Sequence, residues 1–260
     1  MKGFLSRTIG VAFGLAAVST TATALCVTHG PQAPRDISSN SGANTKLFSF
    51  APPSSKLNLC NIHFHTNAEH KGPDFNVRAG GGHHGGFKCN AAGALTQTEL
   101  AQPTGTVCRG LKVGATIEVH WVYTSCDVKP GKGLGSCFSD ECTDPKLRVE
   151  AQVFLAVNDS EALDFMRFAY DGHVVNGLHQ AKSLPTDTGK PVIFHGSTTG
   201  PAFTHAECSP FEVTWSVRPR CARLDISSLG QWCSGNVFKE DHAHGVRELI
   251  DSPELLAEIE

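Results

Sequence analysis

Histidines at alternating positions are where this chain could do chemistry. They occur in Asn61-Ile62-His63-Phe64-His65 and again in Glu118-Val119-His120. Strand side chains alternate faces, so His63 and His65 share one side while Phe64 points into a core. By the same rule Glu118 and His120 share a face, with Trp121 behind it. If the two strands lie side by side, three imidazoles converge. Three histidines with one open position are the ligand set of a catalytic zinc, whereas structural zinc is usually closed by four protein ligands. Glu118 would then fix the tautomer of a ligand histidine and raise its basicity.

Two other histidine clusters compete. Asp241-His242-Ala243-His244 is a second H-x-H, with Glu240 beside it. It reads as a polar cap region or as a rival metal site. Gly80-Gly81-Gly82-His83-His84-Gly85-Gly86 reads as a solvated loop, or as a mobile histidine pair at a pocket mouth able to relay protons near neutral pH. It has no Lys-Ser/Thr pair and no strand-to-helix context, which argues against a phosphate loop. The chain contains no G-x-S-x-G and no H-E-x-x-H, so a serine hydrolase elbow and a zinc-protease helix lack support.

The elements that must position these residues are mostly strands. Strand-like runs recur at Leu57–His65, Lys112–Tyr123, Leu147–Val157, Lys190–His195 and Phe211–Val217, each bounded by Gly, Pro, Asn or Ser. The segments between them, notably 71–90 and 124–145, are too long for tight hairpins. Helical pattern is scarce. A short helix is expected over Glu161–Phe168 after an Asp159 or Ser160 cap, and a terminal helix over Val246–Ile259, interrupted near Pro253. The expectation is one mainly β domain on a twisted, largely antiparallel central sheet, with long loops and few short helices.

Composition bounds the setting. The 260 residues are 40% hydrophobic and 18% charged, which describes an ordinary globular protein. Lys2 and Arg7, an apolar run from Ile9 to Val18 and Ala22-Thr23-Ala24 form a signal-peptide pattern over 1–24. That apolar run is too short to span a bilayer, so no membrane anchor is expected. Residues 25–45, rich in Pro, Ser, Asn and Gly, read as a linker or loosely tied arm, and 46–260 as the functional domain. Net charge is −3, and removing Lys2 and Arg7 makes the mature chain more acidic, which argues against nucleic acid as a partner. All ten cysteines follow the signal segment, so disulfides in an exported protein, periplasmic or extracellular, are expected over thiolate–zinc sites. Cys126, Cys137 and Cys142 surround a Gly-rich turn, and Cys221 and Cys233 are close enough in sequence for a local loop.

Three runs carry a family resemblance. Cys60 to Gly72, reading CNIHFHTNAEHKG, is similar to the delta-class carbonic anhydrases. So are the tail Glu240 to Leu249, EDHAHGVREL, and the run Ser209 to Pro219, SPFEVTWSVRP. A fainter similarity to the alpha class, which carries Q-x-H-x-H and E-L-H strands, implies roles. By that resemblance His63, His65 and His120 hold one zinc ion per chain, while Asn61 and Glu118 orient the ligand imidazoles. Gly196-Ser197-Thr198-Thr199-Gly200-Pro201 is similar to the alpha-class G-S-L-T-T-P segment, whose first threonine orients the zinc-bound hydroxide. Either Thr198 or Thr199 could take that role, with Glu69 of Ala68-Glu69-His70 as the glutamate that holds it. The sheet would then be alpha-carbonic-anhydrase-like.

The resemblance implies a carbonate dehydratase, a zinc lyase in which a zinc-bound hydroxide converts carbon dioxide reversibly to bicarbonate and a proton. Carbon dioxide needs an apolar wall beside the metal, for which Val122, Val153 and Trp215 are candidates. His83, His84, His179 and His205 are candidates for relaying the proton. The alternative is an exported protein that binds or buffers zinc without catalysis.

Overall fold

The computed structural model describes residues 29–80, 85–198 and 208–259. The central sheet contains β1 (Asn58–Thr66), β4 (Thr116–Thr124), β5 (Leu147–Val157), β8 (Val192–Ser197), β9 (Glu212–Val217) and β10 (Ala222–Asp225). Two small hairpins lie outside it, β2 (Val77–Arg78) with β3 (Phe87–Lys88) and β6 (Val174–Val175) with β7 (Leu178–His179). The sheet order is β1-β4-β5-β9-β8, with β10 on β5. Pairings β1/β4, β4/β5 and β8/β9 are antiparallel; β9 and β10 both run parallel to β5. The sheet is thus mixed, with antiparallel pairs in the majority, and each expected strand run is present within a few residues.

Every residue of β4 and β5 is buried, because both sheet faces are covered. On one face Phe64, Ile117, Val119, Trp121 and Phe154 pack against Leu229 and Trp232 of α1 (Ile226–Cys233). On the other, Val122, Ala151, Val153, Phe194, Trp215 and Val217 form a second cluster. The three histidines share this second face.

Helical expectations fared less well. Glu161–Phe168 does not form an α-helix; only Phe165–Arg167 turns, as a 3-10 segment capped by Asp164 rather than Asp159 or Ser160. The expected terminal helix is absent, and only Pro253–Leu255 forms a 3-10 turn. Its backbone is spent elsewhere: Ile250 N–H donates to the Pro34 carbonyl, and the Leu255 and Leu256 carbonyls accept from Gln32 and Asn44 N–H. Tertiary hydrogen bonds override the local pattern. The only α-helix among the described residues, α1, was not anticipated; its Asp225 cap accepts from the Ser227 and Ser228 N–H groups.

The same bonds correct the loosely tied arm. From residue 29 on it is fixed against the tail, with Ala33, Arg35 and Ile37 buried and the Arg35 guanidinium on the Ser39, Ser41 and Ala257 carbonyls. Four disulfides join Cys60–Cys137, Cys89–Cys221, Cys108–Cys233 and Cys126–Cys142, and Cys208 is also bridged. Cys221 and Cys233 do not pair with each other, because β10 and α1 occupy the residues between them. These bridges favour an oxidising compartment. No helix among the described residues is long and apolar enough to cross a membrane.

Candidate metal centre

Antiparallel pairing puts His63 directly opposite His120, and His65 opposite Glu118. Directly opposed residues face the same side, so the register itself gathers the cluster. One ring nitrogen from each of His63, His65 and His120 falls within 4.8 Å of the others, a group that could hold a metal ion. A β-bulge between Leu59 and Asn61 sets this phase, letting Cys60 reach the Cys137 bridge while Asn61 stays on the histidine face.

The hydrogen bonds determine which nitrogen is free on each ring. Asn61 donates its amide N–H to the Gly131 carbonyl at 3.0 Å, which turns Oδ1 towards His63 Nδ1 at 2.6 Å. His63 must therefore donate from Nδ1, leaving Nε2 bare. His65 Nδ1 donates to the Gly245 carbonyl at 2.9 Å, so its Nε2 is bare too. His120 Nε2 donates to Glu118 Oε1 at 3.0 Å, leaving Nδ1 bare. His63 Nε2 and His120 Nδ1 then face each other at 3.3 Å, two acceptors with no proton between them. A cation satisfies that arrangement. With each outer N–H held by an oxygen, as in metal-ligating histidines generally, this donor set fits a tetrahedral metal with one open position.

Electrostatics agrees. Burial, reinforced by the neighbouring His120, His65 and His244, holds the His63 imidazole well below its ordinary range, and burial also lowers His65. Both stay neutral near pH 7, the form that coordinates metal. Glu118 is fully buried; burial opposes its charge, but His70 and the hydrogen bonds from His120 and His70 hold it well below the carboxylate range.

Glu118 is a hub. Oε1 accepts from His120 and from His70 Nδ1 at 2.7 Å, while Oε2 accepts the Glu69 and His70 N–H groups at 2.6 and 3.0 Å. His70, wholly buried with its ring 4.6 Å from Trp215, was not singled out from the sequence. The pattern that could have revealed it is His70 lying just beyond Glu69 in the Ala68-Glu69-His70 run. Gly245, whose carbonyl orients His65, was missed because backbone groups carry no sequence signal. The tail reaches it by pairing with β1: Thr66 N–H donates to the His244 carbonyl and His244 N–H to the Phe64 carbonyl.

The histidines open on a small cavity of about 40 Å³ whose wall includes Glu69, Leu134, Thr198, Trp215 and Arg247. Glu69 Oε1 accepts the Arg247 N–H at 3.2 Å. Burial opposes its ionisation, but His65, His120 and His70 outweigh that and lower its carboxyl. Thr198 reaches this cavity; Thr199, His83, His84 and His205 lie outside the described residues. Of the apolar candidates only Trp215 lines the cavity, whereas Val122 and Val153 are core. His179 is hydrogen-bonded to the Tyr170 hydroxyl and does not line it. The tail pair diverges: His244 bonds Glu240 at 2.8 Å, and His242 sits between Asp241 and Arg109.

Sheet and site together define a β-sheet protein with a three-histidine pocket that could hold a metal ion. A family model described as delta carbonic anhydrase matches residues 54–228. The chain belongs to the delta carbonic anhydrase family, a membership that supports hydration of carbon dioxide in general. No curated protein matches the chain. Among solved structures, a hyperthermostable carbonic anhydrase from an active hydrothermal vent chimney is 15% identical with a TM-score of 0.35, over 89% of this chain and 90% of that one. The alpha-carbonic anhydrase from Thermovibrio ammonificans, solved with sulfanilamide, is 15% identical at TM-score 0.31, over 88% of each chain. The Photobacterium profundum alpha-carbonic anhydrase is 16% identical at TM-score 0.29, over 87% of this chain and 89% of that one. Likeness at that level carries no argument about this site.

Proposed function

We propose that the protein is an exported, zinc-dependent carbonic anhydrase that holds one zinc ion on His63 Nε2, His65 Nε2 and His120 Nδ1. The observation that carries this reading is the three bare nitrogens, each opposite an N–H already held by Asn61, Gly245 or Glu118. When bound, zinc lowers the pKa of a coordinated water towards neutrality and so supplies a nucleophile, an effect best known from carbonic anhydrases themselves.

The chain's own groups do the rest. Neutral imidazoles leave the metal charge uncompensated, while the Glu118 carboxylate fixes the His120 ring through its N–H. Trp215 and Leu134 provide apolar wall for a substrate with no hydrogen-bond donor. Glu69, ionised and anchored by the Arg247 N–H, accepts a hydrogen bond from the hydroxyl of Thr198 or Thr199. That threonine oxygen is then left to accept a hydrogen bond, and so would orient the hydroxyl nucleophile that a bound zinc would supply, its lone pair aimed at the carbon. A carbon–oxygen bond forms, bicarbonate leaves and one proton passes to solvent.

Metal analysis of the purified mature protein, paired with stopped-flow carbon dioxide hydration, tests the reading. The expected result is about one zinc per chain and activity lost on chelation and restored by zinc. Stoichiometric zinc without hydration would instead favour a zinc-buffering protein.

A further inference from the structure

The histidine cavity is lined by one cationic side chain whose charge the proposed reaction leaves unused, that of Arg247. Its backbone is fixed. The main-chain N–H donates to Glu69 Oε1 at 3.2 Å, and two residues earlier the Gly245 carbonyl holds His65. Its side chain is fixed at one corner, where Nη1 donates to the Ala33 carbonyl at 2.7 Å. Ala33 is itself fully buried, and the next residue, Pro34, accepts the Ile250 N–H at 2.8 Å. Arm and tail together brace the guanidinium.

The rest of the fork is uncommitted. Nε is buried, yet no acceptor meets it among the described residues. Glu69 takes the main-chain N–H rather than the guanidinium, so no contact ion pair consumes the charge. Burial works against the Arg247 charge and Glu69 supports it, which leaves a partly desolvated cation. A buried donor left unpaired costs the desolvation of that group. Water satisfies the donor but not the charge. A planar oxyanion satisfies both, because two of its oxygens match two N–H groups of the guanidinium. No Asp, Glu, Lys or Arg besides Glu69 and Arg247 is among the described residues lining the cavity, and their charges cancel. Bound zinc would therefore make the cavity net positive. Its volume of about 40 Å³ exceeds the ~10–15 Å³ that admits one water, which suits an ion of few atoms.

We infer that Arg247 and the histidine cavity form a subsite for a small planar oxyanion, held bidentately by the guanidinium. In the reaction proposed above that ion is bicarbonate. Arg247 then binds the charged member of the reactant pair and does not address uncharged carbon dioxide. The bicarbonate assignment rests on the hydration reading; the oxyanion subsite does not.

Formate, the smallest carboxylate, is the probe. Its binding to the zinc-loaded full chain is followed by broadening of the formate proton resonance, in the wild type, Arg247→Lys and Arg247→Gln. Lys keeps the charge and loses the fork; Gln loses both. Formate is expected to bind about tenfold more weakly in R247K, the scale of one charge-assisted hydrogen bond, and more weakly still in R247Q, with zinc content held. KM for bicarbonate in the dehydration direction should rise by a similar factor. A residue that merely braced the tail would change zinc content or kcat without singling out an oxyanion. If R247Q does not fold, R247K carries the comparison. No saturable formate binding in the wild type would overturn the subsite. So would equal formate affinity in the wild type and R247K. Weakened formate binding with an unchanged KM for bicarbonate would overturn the bicarbonate assignment. A wild-type zinc protein that binds formate through Arg247 but hydrates no carbon dioxide would sink the hydration reading and leave the oxyanion subsite standing.

Discussion

His63 lies directly across the β1–β4 ladder from His120, with ring centroids 5.1 Å apart and planes nearly perpendicular. That single pairing turns two unremarkable strand histidines into facing candidate ligands for the proposed zinc, because it fixes both the face and the spacing. A one-residue slip would move one set of side chains to the opposite face, pulling His63 and His65 away from His120.

The register therefore predicts which histidines matter. Replacing His63, His65 or His120 by Ala should remove most bound zinc and nearly all hydration activity. Replacing His242 and His244 together should leave zinc near one per chain, since their rings are committed to Asp241, Arg109 and Glu240. Zinc that depended on the tail pair and not on His120 would refute this ligand set.

Glu118→Gln is expected to weaken zinc binding about 10–100-fold, the usual cost of losing a group that orients a ligand histidine. The hydrogen-bond pattern adds a second effect. The carboxylate accepts four donors, and an amide NH₂ would point a donor at donors in a fully buried site. Metal-free protein should therefore also lose about 1–3 kcal/mol of stability, measurable by denaturant titration. Unchanged affinity and stability together would mean that the hub does not form.

His70 should act through Glu118 rather than on the metal. His70→Phe fills the same apolar surroundings near Trp215 and Phe194 but removes the N–H that Glu118 Oε1 accepts. Zinc affinity should fall, and a double-mutant cycle with Glu118→Gln should give a coupling of about 0.5–3 kcal/mol. Additive effects would show that the two residues do not work as a unit.

What the sequence revealed and what it hid follows from where the information sits. Period-two alternation at His63, His65, Glu118 and His120 is local, so the strands and the face these side chains share could be read directly. The β10–α1 unit went unseen because Ala222 to Cys233 offers only a short strand and a helix of eight residues, below the length at which periodicity speaks. Val246–Ile259 misled for the opposite reason. Its apolar spacing suits a helix, yet its N–H and carbonyl groups are claimed by the arm at Gln32, Pro34 and Asn44, partners more than 200 residues away. Gly245 and His70 needed the folded pairing before either could be assigned a role.

The Cys60–Cys137 bridge joins the ligand strand to the loop whose Gly131 carbonyl aligns Asn61. Replacing both cysteines by Ala should cost about 2–5 kcal/mol. It should also weaken zinc binding, because Asn61 loses the support that aims Oδ1 at His63. Removing Cys126 and Cys142 should cost stability with little effect on zinc, since that bridge touches no residue contacting a ligand ring. Equal zinc affinity in the two double variants would separate the Gly131 loop from the metal centre.

Acid sensitivity of the metal-free protein is the last expectation, and its sign follows from the shifted imidazoles. Burial, with the neighbouring histidines, lowers His63 and His65 in the folded state, whereas in the unfolded chain each titrates near ~6.5. Below that value the unfolded chain binds more protons, so stability rises with pH and is lost as pH falls through about 6.5 towards the folded values. Glu69 and Glu118, both lowered, act in the same direction only further down, below the unfolded carboxylate value of about 4.3. Between pH 8 and 5 the slope therefore belongs to the histidines: His195, also lowered by burial, adds to it, while His244, raised by its hydrogen bond to Glu240, opposes it, so His63, His65 and His195 together set the sign. Thermal or urea unfolding of metal-free protein should show decreasing stability across that window, and His63→Gln should flatten the curve. Zinc should restore stability most strongly at the upper end, where neutral imidazoles need release no proton to bind it. A metal-free wild type equally stable at pH 8 and pH 5 would show that the imidazoles are not held neutral by burial.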